Sequence, residues 1–505
     1  MILLISGHSF RYELENICRL FFPFEKIEVR DDNDGETEPD GDFISTVRER
    51  TDGAARLCVT VNVCGNRRTA VRTVSGADIA PDGDGAGKCG FDDECERLFA
   101  VTMYEMLSDI TGIKPKWGIL TGVRPGKLMR RIADSRGEEY ARRHFSEKLL
   151  VSDEKIDLCL AASKSEQEII ALSRPDSFSL YVSVPFCPTR CSYCSFVSHS
   201  IEQAGKLIAP YVELVCREIA YTGDIARRLG LHLETVYIGG GTPTSISAEQ
   251  ITDIMTAINR SFDMSSCREF TVEAGRPDTV TDTKLTAIKE NGATRISINP
   301  QTMCDAVLEN IGRCHTAEQT EQAFYAARRH GFDNINMDLI AGLPGDTYET
   351  FCATLDRIAA LDPESVTVHT LSMKRSSRMT CGGDLPDAEV GRLADEMLRR
   401  ARSSLESSGL RPYYLYRQSR TVGNLENTGY AKRGCEGLYN IYIMDETHSI
   451  LACGASAVTK LRASDGYIER IFNYKYPYEY ISRFEEMINR KDGIEKFYLN
   501  HPITY

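Results

Sequence analysis

The chain has 505 residues, a formal net charge of -13 and 17 cysteines. That length accommodates two to four domains with substantial cores, and the acidic balance excludes a general nucleic-acid grip, leaving room only for a local basic pocket. The cysteines are odd in number and scattered, unlike a secreted disulfide framework, and the apolar head of "MILLISGHSFRYELENICRL" gives way to Arg11, Glu13 and Glu15 before an export signal or membrane span could form, so a cytoplasmic setting is expected.

Residues 2–8 read as an opening strand, residues 9–20 as a helix, and the Val- and Thr-rich "ARLCVTVNVCG" as another strand. Together they predict a small N-terminal α/β domain over residues 1–112. The acidic stretches "DDNDGETEPDGD" and "DGDGAGKCGFDDE" have Gly35 and Ala86 where a calcium loop needs oxygen ligands, and read as solvated turns. A helical connecting segment, residues 113–174, carries the single tryptophan, Trp117, in "KWGILTGVRPGKLMRR". Gly122 to Lys127 is one residue short of a phosphate loop, and Leu128 stands where a Ser or Thr would bind magnesium. A turn into a basic helix that docks on the main domain is expected instead, followed by a helix over 151–172.

The rhythm changes in residues 175–375. "SLYVSVPF", "ETVYIGGGT", "REFTVEAG", "TRISINPQ", "NINMDLIAGLP" and "SVTVHTLS" read as six strands, mostly separated by helix-length segments. Such alternation predicts parallel pairing with crossover helices, which a partial barrel or an open sheet would satisfy equally. Polar and glycine-rich residues gather at the strand ends, where α/β folds place their sites. Residues 376–505 are expected to form a mostly helical C-terminal extension covering the open mouth of the sheet. It contains a long helix candidate over 384–410, a tyrosine-rich run, "LACGASAV" and "YKYPYEYI".

Cys187, Cys191 and Cys194 fall within eight residues in "PFCPTRCSYCSF", a setting too polar and broken for a strand or helix core. Thiolates suit zinc and iron–sulfur clusters, but a structural zinc site wants four protein ligands. No second CxxC pair or histidine pair is near, and His199 is the nearest imidazole. A cubane cluster held by three cysteines leaves one iron open to a reactant, so a [4Fe–4S] cluster used for chemistry is expected. "GGGTPT", Gly239 to Thr244, offers close backbone approach at another strand end. Glu273 and Asp338 can accept hydrogen bonds from an ammonium group or ribose hydroxyls. Gln301 can bond a ligand edge, and Arg313 can pair with a carboxylate.

With these residues in place the sequence resembles the radical S-adenosylmethionine superfamily, through "CPTRCSYC" and "GGGTPT". It resembles more closely the branch of oxygen-independent coproporphyrinogen III oxidases and related heme chaperones, through "YVSVPFCPTRCSYCSF", "YIGGGTPT", "RISINPQT", "NINMDLIAGLPGDT" and "CGASAV". "WGILTGVRPGK" is similar to the long HemZ-type members. The resemblance implies a partial (βα)6 radical-SAM barrel, with Cys187, Cys191 and Cys194 as cluster ligands. S-adenosylmethionine would be bound by Gly240, Gly241, Thr242, Glu273, Gln301, Arg313 and Asp338. Tyr193 would pack near the adenine, and Tyr181 aligns with a tyrosine near the cofactor in the oxidases.

The implied reaction converts two propionates of coproporphyrinogen III into vinyl groups, using an external electron donor and acceptor, with neither nucleic acid nor a membrane span involved. Arg411, Arg417, Arg420, Lys432 and Arg433, with Tyr413, Tyr414, Tyr416 and Tyr430, offer partners for a tetrapyrrole carrying four carboxylates. The chain departs from the oxidases at Phe196, where they carry a further cysteine, and at Ser183, where they carry histidine. A heme-binding chaperone and a radical enzyme with another substrate therefore stand as alternatives. Phe196 is expected either to shield the cluster region or to anchor the loop in a core.

Overall fold

The computed structural model describes residues 1–31, 39–51, 53–76, 90–196, 198–373 and 388–503. The two acidic stretches weighed as calcium loops lie largely outside the described residues. The chain divides into two compact units. One comprises Met1–Ser163, Leu385–Arg392 and Leu415–Glu426, and the other Lys164–Asp384, Leu393–Tyr414 and Asn427–Tyr505.

The first unit opens with β1 (Ile2–Ser6) and α1 (Arg11–Phe21), followed by β2 (Glu28–Asp31), β3 (Phe43–Thr51), β4 (Ala54–Val63), β5 (Asn66–Ser75) and α2 (Phe91–Thr111). Strand β1 lies between β2 and β3, parallel to both, and β4 and β5 continue the sheet antiparallel. Alternate residues of β4, from Ala55 through Leu57, Val59 and Val61 to Val63, are buried, the period of a strand with one covered face. Leu14, Ile17 and Cys18 of α1 and Phe99, Met103 and Leu107 of α2 join them in one core. Helices α3 (Pro125–Arg136), α4 (Glu138–Arg143) and α5 (Asp153–Ile170) follow. Pro125 is in the first turn of α3, where its missing N–H costs nothing, so the phosphate-loop look-alike is a helix start. Trp117 is buried, and its indole N–H donates to Glu426 Oε2 at 2.8 Å, while Lys155 pairs with the other oxygen at 2.8 Å.

The second unit begins with β6 (Ser177–Val184), β7 (Phe186–Cys187), β8 (His199–Ser200), α6 (Ile201–Arg228), β9 (His232–Gly240) and α7 (Ala248–Ser261). It continues through β10 (Glu269–Glu273), α8 (Asp282–Glu290), β11 (Arg295–Ser297), α9 (Asp305–Asn310), α10 (Ala317–Arg329), β12 (Ile335–Ala341), α11 (Tyr348–Leu361) and β13 (Ser365–Thr370). Strands β6, β9, β10, β11, β12 and β13 pair in that order, every pair parallel. Reciprocal caps start the crossover helices sharply: Ser247 with Gln250 at α7, and Thr316 with Gln319 at α10.

The C-terminal region contributes α12 (Ala388–Ser407), β14 (Arg411–Arg417), β15 (Glu426–Ala431), α13 (Leu438–Asp445), β16 (Ser449–Cys453), β17 (Val458–Arg462), β18 (Ile468–Phe472), α14 (Pro477–Ser482) and α15 (Phe484–Asn500). Alongside the helices expected of the extension, the region carries strands. Its five strands belong to the main sheet, whose order is β14-β15-β13-β12-β11-β10-β9-β6-β16-β17-β18. Strand β15 pairs antiparallel with β13, and β16 pairs parallel with β6. The sheet edges that six parallel strands would leave open are thereby paired. Among the described residues, no helix is long and apolar enough to cross a membrane.

One buried ion pair ties the last helix to the second unit. Lys491 of α15 lies 2.9 Å from Glu218 of α6, and both side chains are fully buried. Glu218 also accepts from the Gly454 N–H at 2.7 Å, Tyr480 at 2.8 Å and Asn473 at 2.8 Å. Removing one member leaves a buried charge without its counter-ion. Lys491→Met is therefore expected to cost about 3–5 kcal/mol in urea unfolding, and adding Glu218→Gln should recover part of that loss.

Candidate active site

The cysteine loop is closed at its base by β7, which pairs in parallel with β8. The His199 N–H donates to the Pro185 carbonyl at 3.0 Å, and within the loop the Cys194 N–H donates to the Cys191 carbonyl at 3.3 Å. The segment after α9 fastens the loop from the side, since the Ser192 N–H donates to the Ile311 carbonyl at 3.1 Å. The end of β9 fastens it from below: the Gly241 N–H donates to Val184 at 2.9 Å and the Thr242 N–H to Phe186 at 2.7 Å. A Cβ on Gly241 would stand 2.6 Å from the Phe186 carbonyl oxygen and 3.0 Å from Cys187 Sγ, so only glycine fits. Gly240 has φ +109, in the region where side chains are strained.

Each sulfur meets a donor. Thr242 Oγ1 lies 3.5 Å from Cys187 Sγ, Arg276 Nη1 lies 3.9 Å from Cys191 Sγ, and the Phe196 backbone N–H bonds Cys194. Burial pushes the Cys194 thiol up to about 11; the Phe196 N–H opposes this, and Cys191 and Cys187 add to it. The three thiols are thus within electrostatic reach of one another. Among the described residues, no three His, Cys, Asp or Glu side chains form a site for a single metal ion. A cubane differs from such a site, because each thiolate binds its own iron.

One face of the parallel strands carries a polar row. Tyr181 and Tyr237 are register partners on β6 and β9, and their rings stack on Tyr439 of α13 with centroids 6.1 Å and 4.5 Å away. The Tyr237 hydroxyl donates to Glu273. Burial raises the Glu273 carboxyl to about 7; the tyrosine opposes this and the charge of Asp338 reinforces it. Burial pushes Asp338 up as well, but His369, Asn336 and Arg295 outweigh it and hold the carboxyl below its usual range. His369 Nε2 lies 3.8 Å from one Asp338 oxygen, and Asn336 donates to the other at 2.8 Å. Gln301 has φ +70, and its backbone bridges β12, donating to Asp338 O at 2.9 Å and accepting from the Ile340 N–H at 3.0 Å. Arg313 donates to the Gly275 and Asn299 carbonyls, each at 3.1 Å, and to the Tyr193 hydroxyl at 3.0 Å, leaving its buried Nε without a partner.

The structure therefore seats Cys187 against Gly241 and Thr242, ends β10 on Glu273, holds Gln301 just past β11, and sets Tyr181 and Asp338 within β6 and β12. Arg313 and Tyr193 form a pair beside the cysteine loop. Five of the cations and tyrosines of residues 411–433 are a correction. Tyr413, Tyr414 and Tyr430 are buried, Arg417 lies over the Trp117 ring with its guanidinium on the Leu120 and Asn424 carbonyls, and Lys432 pairs with Asp362 at 2.7 Å. These five side chains are already committed, while Arg411 and Arg433 are exposed. The Phe196 ring is 67% exposed, so it is not the loop's core anchor. His199 packs against Tyr476 and Tyr478.

Sequence reasoning missed Tyr237, Arg276, His369 and Tyr439. For two of them the signal was present. Parallel strands covered on both faces read as continuous apolar runs, whereas "ETVYIGG" and "SVTVHT" place polar residues at alternate positions, which marks a face lining a site.

A family model described as the radical SAM superfamily matches residues 181–358. The chain is 40% identical over 394 residues to an oxygen-independent coproporphyrinogen-III oxidase-like protein HemZ of Bacillus subtilis, spanning 76% of this chain and 78% of that protein. It is 33% identical over 288 residues to the heme chaperone HemW of Bacillus subtilis, spanning 55% of this chain and 70% of that protein. Among solved structures, the coproporphyrinogen III oxidase HemN of Escherichia coli shares the fold with a TM-score of 0.50 at 22% identity, over 65% of this chain and 73% of that one.

Glu273 gives a pH signature. A carboxyl raised from 4.5 to about 7 keeps a proton in the native state that the unfolded chain releases, so stability falls as pH rises through that window. The loss is complete above pH 7 and amounts to about 3 kcal/mol at 1.36 kcal/mol per unit. Glu273→Gln should remove it. In urea unfolding of the cofactor-free protein, the variant's gain over wild type is expected to be small at pH 5 and largest at pH 8.

Proposed function

Because the chain belongs to the radical SAM superfamily, in its HemZ-like coproporphyrinogen oxidase branch, we propose that it decarboxylates two propionates of coproporphyrinogen III to vinyl groups without oxygen, yielding protoporphyrinogen IX. The observation that carries this reading is Cys187 seated against the Gly240–Thr242 turn, with Cys191 and Cys194 in the same loop and within its electrostatic reach. We read the six parallel strands as a partial (βα)6 barrel with the polar row as its lining. The cysteine set fits a [4Fe–4S] cluster: three thiols share one loop, and the turn leaves no room for another side chain beside Cys187.

When bound, the cluster and S-adenosylmethionine supply a 5′-deoxyadenosyl radical that takes a hydrogen from a substrate carbon. The chain's own residues bind, orient and exclude water. Gly240, Gly241 and Thr242 present backbone to the methionine end of the cofactor. Asp338, held ionised, accepts hydrogen bonds from ammonium or ribose hydroxyls. Glu273 becomes an acceptor of the same kind once a cation approaches, because its raised carboxyl ionises beside a positive charge. Gln301 supplies a ligand-edge contact, and Arg313 offers its free Nε–H to a carboxylate while holding Tyr193 for the adenine. Tyr181 lies one strand away in the aromatic stack. Release of carbon dioxide frees an electron, so an external acceptor is needed alongside the donor.

Phe196 in place of a further cysteine, with the similarity to a heme chaperone, supports a second reading as a heme-binding trafficking protein. An anaerobic assay of cluster-reconstituted protein with coproporphyrinogen III separates the two. The oxidase reading expects vinyl products by mass with matching 5′-deoxyadenosine, whereas stoichiometric heme binding without vinyl product would replace it with the second. The cluster reading has its own check. Cys191→Ala removes a ligand and Gly241→Ala forces the loop off its seat, so both should lose most of the iron that wild type retains after reconstitution, with circular dichroism unchanged.

A further inference from the structure

One of the three donors at the cysteine sulfurs carries a full charge. Arg276 is 3% exposed, and its Nη1 points to Cys191 Sγ at 3.9 Å and to Thr189 Oγ1 at 3.0 Å. The other edge of the guanidinium is fixed: Nε and Nη2 donate to the two oxygens of Asp278, each at 2.9 Å. Such a fork locks both position and orientation. His315 lies beyond Asp278, with Nδ1 at 3.9 Å from the carboxylate. The pair is thus a fixed dipole whose positive end, the buried guanidinium, lies on Cys191 and whose negative end, on the exposed residue Asp278, is turned away. Arg313, the neighbouring guanidinium, is occupied by two carbonyls and Tyr193.

We infer that Arg276 and Asp278 set the reduction potential of the cluster. This rests on the reading of Cys187, Cys191 and Cys194 as its ligands. Reduction adds one electron to a group already surrounded by thiolates in a site with little water. A donor and positive charge at a ligand sulfur stabilise the reduced form, and hydrogen bonds to the sulfurs are among the features that set such potentials. Asp278 moderates the effect by neutralising part of the guanidinium charge. Arg276 is a positioning and tuning residue rather than a cluster ligand, and the two partners act in opposite directions.

That opposition supplies the test. The midpoint potential of the reconstituted cluster is measured by redox titration followed by electron paramagnetic resonance, without substrate or S-adenosylmethionine. In the double variant Arg276→Met with Asp278→Asn, no unpaired charge is left buried. Its midpoint should fall by at least tenfold in the reduction equilibrium, 59 mV for one electron. Asp278→Asn alone leaves the guanidinium uncompensated, and its midpoint should rise. A purely structural pair would move neither. Unchanged midpoints in both variants, or shifts of the same sign, overturn the inference while the wild-type cluster signal still stands. Absence of a cluster signal in wild type would overturn the ligand reading instead. Should the double variant fail to hold iron, Asp278→Asn decides alone, and a midpoint that is unchanged, lowered or lost with the iron overturns the assignment.

Discussion

Between Gly240 and Thr242 the backbone passes so near Phe186 and Cys187 that a single methyl group would not fit. Much of the site follows from that approach. Two N–H groups of the turn satisfy the carbonyls on either side of Pro185, and the Thr242 hydroxyl reaches the Cys187 sulfur. The position of Cys187 is therefore set by the register of β6 on β9, in which Val184 faces Gly240 and Tyr181 faces Tyr237. A slip of one residue by β9 would turn Tyr237 to the other face from Tyr181 and carry the glycine turn off the cysteine loop, because side chains alternate with period two. One pairing thus fixes both the loop and the aromatic stack.

Glu273 and Asp338 show how one lining gives two carboxyls different characters. Burial raises both, but at Asp338 hydrogen bonds from His369 and Asn336, with the charges of His369 and Arg295, outweigh it. Glu273 feels the same two charges and has the Tyr237 phenol, yet burial and the charge of Asp338 prevail there. One carboxyl is held below its ordinary range and the other above it. Pairs whose surroundings push them apart in this way mark sites better than either residue alone.

The six parallel strands were legible because each is a β-branched or aromatic run followed by helix-length sequence with its own caps. The cysteines and the glycine turn were legible because their spacing has few structural uses. Pairing across the chain was not. Strand β16 lies beside β6 although more than 260 residues separate Ser449 from Phe178, and no local period encodes such a neighbour. The tyrosines and cations after residue 410 looked free to grip a substrate, since sequence shows residue type but not prior commitment. Arg276 was invisible for the same reason in reverse, as an arginine near an aspartate usually reads as a surface pair.

The C-terminal region does more than close sheet edges. The Glu269 carboxylate accepts from the Leu438 N–H at 2.7 Å and the Tyr439 N–H at 3.3 Å, satisfying two of the donors that open α13 and placing an anion at the positive end of its dipole. That anchor sets Tyr439 against Tyr181 and Tyr237. Further along, Tyr442 donates to Glu234 at 2.7 Å and accepts from Arg268 at 2.9 Å, while His448 meets Ser179 at 2.8 Å. Residues from β6, β9 and β10 thus find their hydrogen-bond partners in one short stretch of the C-terminal region. Glu269 depends on those partners most, since Glu234 also accepts from Ser177 and Arg268, and a buried carboxylate left without hydrogen bonds is costly. The six strands are therefore steadied from their N-terminal ends by residues 438–448, which belong to the same compact unit.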